Sequence, residues 1–163
     1  AEELALYEVT TGDWLHPIIR IALETAMRQE EIHKLEWSDI DFNRGIVLIR
    51  DRKDPHNKIG NDEEIPLLPA VREVLLREKR WAKTHKVFPY PALTASVSDK
   101  FAKKAARAGC PDITFHDLRH EAVSRLIERG LTIPEVCIIS GHKSWDTLKR
   151  YTHLKPESLL SKF

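Results

Sequence analysis

His116 and Arg119 stand three residues apart in HDLRH, His142 follows a glycine in SGHK, and Tyr151 comes nine residues after it. These side-chain types suit one task. An arginine offers two parallel N–H donors to phosphate oxygens. A histidine holds or passes a proton near neutral pH, and a tyrosine phenol becomes a nucleophile once its proton is removed. Together they describe a site that grips a phosphodiester and attacks it. Upstream, Arg28 in TAMRQEEI and Lys53 in RDRKDPHNKIGND add two cations. Taken singly, each residue has a plainer use. Arg28 can pair with Glu24 or Glu31, Lys53 can be solvated in a loop, and His116 and His120 can stabilise a helix. Tyr151 can be half-buried packing.

Helices must hold these side chains. Thr114 caps a helix through Leu118, Ala122, Val123, Leu126 and Ile127, which carries His116, Arg119 and His120 and ends at Gly130. Pro134 starts a shorter helix that stops at Gly141 and leaves His142 in a turn. Ser144 then caps WDTLKRYTH, with Tyr151 on it, before Pro156. At the other end, residues 2–9 read as a short helix, and Asp13 as the N-cap of one through Trp14, Ile18, Ile19 and Ala22. Ile32 and Leu35 continue an apolar face, which sets Arg28 near a helix start. Trp37 to Phe42 reads as a turn-like connection, Gly45 to Ile49 as a strand and Glu64 to Leu67 as a second strand. Between the strands Pro55 and Gly60 mark a long exposed hairpin tip that carries Lys53 and Lys58.

Pro69 opens a helix through Val71, Val74, Leu75 and Trp81. Ser96 and Asp99 form a capping-box-like start to SDKFAKKAARAG, which Gly109 stops. There Lys100, Lys103, Lys104 and Arg107 recur at i, i+3, i+4 and i+7. This basic stripe either meets a phosphate backbone or faces solvent. Helices, then a hairpin, then helices predict a mainly α domain with a small antiparallel β-sheet (α+β), with residues 1–163 as one unit.

The 163 residues suffice for one domain with a genuine core, and 42% apolar beside 31% charged residues is an ordinary globular composition. No run approaches the ~18 apolar residues of a membrane span, and no signal-peptide pattern precedes the first helix. The expected location is the cytoplasm. Cys110 and Cys137 have no metal or redox spacing. The net charge of +1 hides an asymmetry: residues 1–41 carry ten acidic and three basic residues, the remainder 15 acidic and 23 basic. A basic portion of this kind can attract nucleic acid.

The order Arg, Lys, His-x-x-Arg, Gly-His, Tyr resembles the catalytic domain of tyrosine recombinases, especially phage and prophage integrases. TAMRQEEI at 25–32, RKDPHNKIGNDEEIPL at 52–67, HDLRHEAVSRL at 116–126 and SGHKSWDTLKRYTH at 140–153 carry it across nearly the whole chain. The resemblance implies that Arg28 and Arg119 clamp the scissile phosphate and that Tyr151 is the nucleophile. It makes Lys53 the general acid, with Lys58 the other lysine in that loop, and His116 a proton shuttle. His142 donates a hydrogen bond to phosphate, Glu31 supports the site, and His120 belongs to the motif as a structural residue.

The implied function is site-specific recombination, phage integration or excision, through a covalent 3′-phosphotyrosyl intermediate. The implied partners are double-stranded DNA attachment sites and further copies of the chain, as a tetramer on DNA, in the bacterial cytoplasm and on the nucleoid. No metal, ATP or other cofactor is implied, and the family's N-terminal DNA-clamping domain lies outside this chain. The apolar tail, Leu159, Leu160 and Phe163, is expected to dock on a neighbouring protomer.

The chemistry is coherent without a metal. A phenol of pKa about 10 is only ~0.1% ionised at pH 7, a gap of ~4 kcal/mol. Fixed guanidiniums stabilise charge as it grows on the phosphate, and a general acid protonates the poor 5′-oxygen leaving group. The chain departs from the family pattern at Ala26, where glycine is usual, and at Ser140, where leucine is usual. Asp51, Asp54, Asp62, Glu63 and Glu64 crowd the lysine hairpin.

Three other readings compete. A DNA-binding regulator of the same fold without catalysis is disfavoured by the complete residue set. A type IB topoisomerase would cut and reseal one duplex, and the phage-like motifs speak against it. A zinc hydrolase could use His116 and His120 at i, i+4, but Asp117 stands where a zincin has glutamate, and Arg119 would set a fixed cation beside the metal.

Overall fold

LHPIIRIALET is apolar on nearly every side, and a helix of that kind is buried all round. The structure, a computed structural model, describes residues 2–54, 56, 59–90 and 94–151, apart from the side chains of 94 and 95. Its elements are α1 (Glu2–Thr10), α2 (Leu15–Thr25), α3 (Gln29–Lys34), a 3₁₀ turn (Trp37–Asp39), β1 (Ile40–Asp41), β2 (Ile46–Ile49) and β3 (Glu63–Pro66). Then follow α4 (Pro69–Lys79), α5 (Thr94–Arg107), α6 (Phe115–Glu128), α7 (Ile133–Ser140) and a 3₁₀ helix (Trp145–Tyr151). The apolar α2 is the hub, touching α1, α3, α4, α5 and α6. Leu15, Ile19 and Ile21 on it are wholly buried. Each such side chain contributes about 1.5–3 kcal/mol against exposure.

The sheet has order β1-β2-β3, all antiparallel, with Ile40 opposite Val47 and Ile49 opposite Glu63. Val47, Ile49 and Ile65 turn into the core, while Leu48 and Glu64 face outward or half outward. A second apolar cluster of Ala26, Ala122, Val123, Leu126, Val136, Ile139 and Leu148 lies between α6, α7 and the closing 3₁₀ helix. It fixes the three segments that carry His120, His142 and Tyr151. The mainly α class with a small antiparallel sheet is as expected.

Local expectations needed correction. Part of the stretch expected to be a turn, Trp37–Phe42, contains β1, because the Asp41 carboxylate accepts the N–H groups of Asn43 and Arg44 (2.9 and 2.8 Å) and folds the chain back onto β2. α5 begins at Thr94, so Ser96 and Asp99 lie inside the helix rather than capping it. α4 ends at Lys79, and Trp81, beyond it, is 78% exposed instead of continuing the apolar face. The second strand sits one residue earlier than expected, and Asp13 accepts the N–H of Leu15 (3.0 Å) at the start of α2. Pro55 and Lys58 in the hairpin and the tail residues Leu159, Leu160 and Phe163 lie outside the described residues. Among the described residues, no helix is long and apolar enough to cross a membrane.

Arg52 joins sheet to helix. It is wholly buried, and its backbone N–H closes the hairpin on the Asn61 carbonyl (2.8 Å). Its guanidinium donates from Nη1 to the Ile138 carbonyl (3.1 Å) and Glu63 (3.2 Å), and from Nη2 to the Ile139 carbonyl (2.6 Å). α7 stops on Gly141 at φ 71, ψ 25, a left-handed conformation that glycine adopts without cost. Glycine is required there twice over, since a Cβ would lie 2.1 Å from Arg52 Nε and 2.4 Å from its Cζ. Gly141→Ala is therefore expected to lose at least ~2 kcal/mol of unfolding free energy, read from urea titration. An unchanged midpoint would mean that Arg52 does not fill this space.

Candidate active site

α2 ends in Ala26, itself left-handed at φ 54, ψ 18, and the chain then straightens through Arg28 at φ −71, ψ 152 into α3. A left-handed alanine is strained, by about 1–2 kcal/mol, at the position where the resembled pattern has glycine. The Glu31 carboxylate accepts both the backbone N–H of Arg28 and its Nη1, each at 2.9 Å. One buried acid thus caps α3 and aims the Arg28 side chain, which stays 29% exposed. Glu31 Oε1 also lies 3.4 Å from Arg52 Nε. That is close enough to pair charge but not aligned for a hydrogen bond, so Nε has no hydrogen-bond partner among the described residues.

α6 starts where Asp117 accepts the N–H and hydroxyl of Thr114 (2.8 and 2.6 Å). One turn on, Arg119 is buried. Its Nη1 donates to the carbonyls of Ala26 and Ser140, the latter at 2.7 Å. Arg119 thereby ties the end of α2 to the end of α7, two helix ends whose free carbonyls attract a cation. Its Nη2 faces the His142 ring, 3.3 Å from Nε2. Burial and then the charge of Arg28 pull Arg119 down to about 10, which leaves it protonated at neutral pH.

His142 leaves the Gly141 turn with Nδ1 2.7 Å from the Ser140 hydroxyl, which also lies 2.7 Å from the Val136 carbonyl. Ser140, which stands where the family pattern has leucine, is buried and holds the imidazole. Burial, then Arg119, Arg28, Arg52 and Arg150, push His142 down to about 4, so the ring is neutral at physiological pH.

Leu148 is wholly buried and anchors the last 3₁₀ helix. From it the Tyr151 hydroxyl reaches His120 Nδ1, which also lies 3.2 Å from Arg150 Nη2. His116, one turn back on α6, meets the His120 ring edge-to-face at 4.8 Å. The other two tyrosines are engaged elsewhere. Burial and Glu3 push the Tyr7 phenol up, and Tyr90 stacks on Trp14 at 4.9 Å.

Arg28, Lys53, His116 and Arg119, from three separate segments, line one groove of about 670 Å³ floored by Phe101 and Phe115. Lys53 is exposed on its rim. A second cavity, of about 570 Å³, is lined by Glu2, Glu3, Asp117 and Glu121 beside Arg125, an acidic surface unsuited to phosphate. The basic stripe of α5 divides. Lys100 and Lys104 pair with Asp13 at 2.9 and 3.1 Å, Lys104 also donates to the Val9 carbonyl (2.7 Å), and Lys100 lies over the Trp14 ring. Those two fasten α5 to the α1–α2 turn, while Lys103 and Arg107 are exposed. No three His, Cys, Asp or Glu gather in a metal-holding group among the described residues.

Sequence reasoning passed over Arg52, Arg150 and the holding role of Ser140. In RDRKD nothing separates the buried arginine from its solvated neighbours. For Ser140 the departure from the family's leucine was the available signal.

Residues 5–158 match the phage integrase family. The shufflon-specific DNA recombinase of Escherichia coli is 41% identical over 150 residues, which cover 91% of this chain and 37% of that protein. The integrase of Salmonella phage P22 is 28% identical over 158 residues, 89% of this chain and 40% of that protein. The chain thus spans well under half the length of these relatives. Among solved structures, the XerA recombinase superposes with TM-score 0.77 at 22% identity, covering 99% of this chain and 61% of that one. A lambda integrase tetramer bound to a Holliday junction gives 0.75 at 23% identity, over 92% of this chain and 46% of that one. At such identities these likenesses carry the fold.

Burial and the arginines together set a titration. Folding favours the neutral His142 ring, so its contribution to stability is whole above the ordinary 6.5 and is lost as pH falls from there towards about 4. The His142 ring protons, followed by NMR, should titrate with a midpoint near 4. Arg28→Gln should raise that midpoint, because Arg28 is one of its causes. A midpoint near 6.5 in both proteins would contradict the electrostatic account.

Proposed function

The chain belongs to the phage integrase family, and from that premise we propose that it is the catalytic part of a site-specific recombinase, cutting and rejoining DNA through Tyr151. One observation carries the reading: Arg28, Lys53, His116 and Arg119 line a single groove, with His142 against Arg119 and Tyr151 bonded to the α6 histidine beside it.

In this groove Arg28 and the outward edge of Arg119 hold the non-bridging oxygens of the scissile phosphate. The neutral His142, whose Nδ1 proton goes to the Ser140 hydroxyl, accepts from Arg119 at Nε2 and steadies that guanidinium rather than donating to phosphate itself. The guanidiniums are fixed before the substrate arrives, so no reorganisation is needed as charge grows on phosphorus. Tyr151 Oη attacks, the 5′ oxygen leaves with a proton from Lys53, and a 3′-phosphotyrosyl link keeps the bond energy for rejoining. His116 at the groove's mouth exchanges protons with solvent. Lys103 and Arg107 contact the DNA backbone, while Lys100 and Lys104 work by holding α5 in place. The partners are duplex attachment sites and further copies of the chain, as in the lambda integrase tetramer, acting in the bacterial cytoplasm. A DNA-clamping domain outside residues 1–163 completes the grip. Accordingly, the isolated chain should bind DNA weakly and with a steep dependence on salt.

The test is a nicked suicide duplex, selected from a randomised pool by its capture on the unaltered chain and resolved on a denaturing gel. The expected result is a denaturant-stable adduct that Tyr151→Phe abolishes. Arg28→Ala should lose about a hundredfold in cleavage with much less loss in binding; equal losses would remove its role on the transferring phosphate. Arg119→Ala is less clean, because it also unties Ala26 from Ser140. For Lys53 the leaving group decides. A bridging 5′ sulfur, with a thiol pKa of about 8.5, departs without protonation, so Lys53→Ala should recover on the sulfur duplex and Arg28→Ala should not. Recovery by Lys58→Ala instead would move the acid five residues along the hairpin.

A further inference from the structure

We propose that His120 is the base that takes the phenolic proton of Tyr151, an inference that rests on the strand-cleaving reading above. The hydrogen bond of the phenol runs to His120 Nδ1. The direction of that bond follows from a third group, since Arg150 Nη2 stands 3.2 Å from the same nitrogen. A guanidinium has only donors. Nδ1 must therefore present its lone pair, the ring carries its proton on Nε2, and Tyr151 must be the donor. Two donors converge on one acceptor, and only the phenol has a proton it can give up.

The surroundings suit a base that stays neutral until it is used. His116, Asp117 and Arg119 face His120 from its own helix, and Arg150 and Tyr151 face it from the closing 3₁₀ helix. Burial, then His116 and Arg150, lower its affinity for a proton. His116, to which the family resemblance gives the proton work, stands behind it at 4.8 Å, ring edge to ring face, and opens on the groove. It is placed to exchange a proton with His120 or solvent. The phenol and His120 are held in register by the apolar cluster beneath them, to which Ala122, Val123 and Leu148 belong and against which Tyr151 packs.

The step balances. The Tyr151 O–H bond breaks and its proton moves to His120 Nδ1 while the bond from Oη to phosphorus forms. The bond from phosphorus to the 5′ oxygen breaks, and that oxygen takes a proton from Lys53. The imidazole gains one positive charge and the lysine loses one. In rejoining, the imidazolium returns its proton to the departing phenolate, as reversibility requires.

The experiment measures single-turnover adduct formation on the selected nicked duplex. His120→Ala and His120→Asn should each slow it about a hundredfold, within the range for losing a general base. Asparagine can still accept the phenol's hydrogen bond but is no base, so it separates holding from proton transfer. Replacing Tyr151 with a polyfluorinated tyrosine, already ionised at neutral pH, should restore both variants to within about tenfold of the same fluorinated chain carrying His120, whereas Arg28→Ala should not be restored. Urea midpoints of all variants verify that each remains folded. Cleavage at the unaltered rate by His120→Asn, or absence of rescue by the fluorinated phenol, overturns the assignment. An unaltered chain that forms no adduct on any selected duplex would instead overturn the strand-cleaving reading, and the base assignment with it.

Discussion

Two buried guanidiniums share one buried carboxylate, and the rest of the site follows from how that imbalance is met. Arg52 and Arg119 are removed from water, and Glu31 is the buried acid beside them, already engaged by Arg28. Burying a charge costs several kcal/mol unless hydrogen bonds satisfy it. Here backbone carbonyls do most of that work: Ile138, Ile139 and Ser140 at the end of α7, and Ala26 at the end of α2. The same bonds that stabilise the arginines therefore fix where α7 stops and where the His142 turn begins. What they leave is a fixed excess of positive charge beneath a groove, and an anion that enters meets donors already in place.

This arrangement also sorts the neighbouring groups by task. His142, surrounded by four arginines, is held neutral by burial and their repulsion, so it acts as a dipole and leaves the charge to the guanidiniums. Lys53 is exposed on the rim, where, on the proposed strand-cleaving reading, it approaches the leaving oxygen without having been desolvated itself. Below it, Lys143 bridges Glu63 and Asp54, and Glu63 also takes Arg52. The acidic hairpin base is thus neutralised by internal cations. Its carboxylates hold the hairpin to the His142 turn, a use that charge counting along the sequence does not reveal.

What the sequence made legible was local. The Thr114 and Gly141 boundaries follow from cap chemistry within a few residues, and so the placement of His116, Arg119 and His142 on or beside helix ends could be read directly. The grouping of Arg28 with them came from resemblance, since no local signal links residues ninety positions apart. Burial of charge was not legible. Arg52 sits in a run of charges like any solvated loop, and Lys100 and Lys104 repeat at helical spacing whether they face DNA or, as here, Asp13. Both outcomes are decided by which distant segment packs against them. β1 was missed for a related reason: two residues carry no periodicity, and the strand exists because Asp41 turns the chain.

The central claim is that this preorganised charge serves attack by one phenol, Tyr151. The most direct measurement is the identity of the residue that retains nucleotide. An adduct formed on a nicked duplex would be trimmed with nuclease, digested and sequenced by tandem mass spectrometry. The account predicts a 3′-linked nucleotide remnant on Tyr151 and on no other residue. A remnant on Tyr7 or Tyr90, or on a serine or histidine, would contradict it.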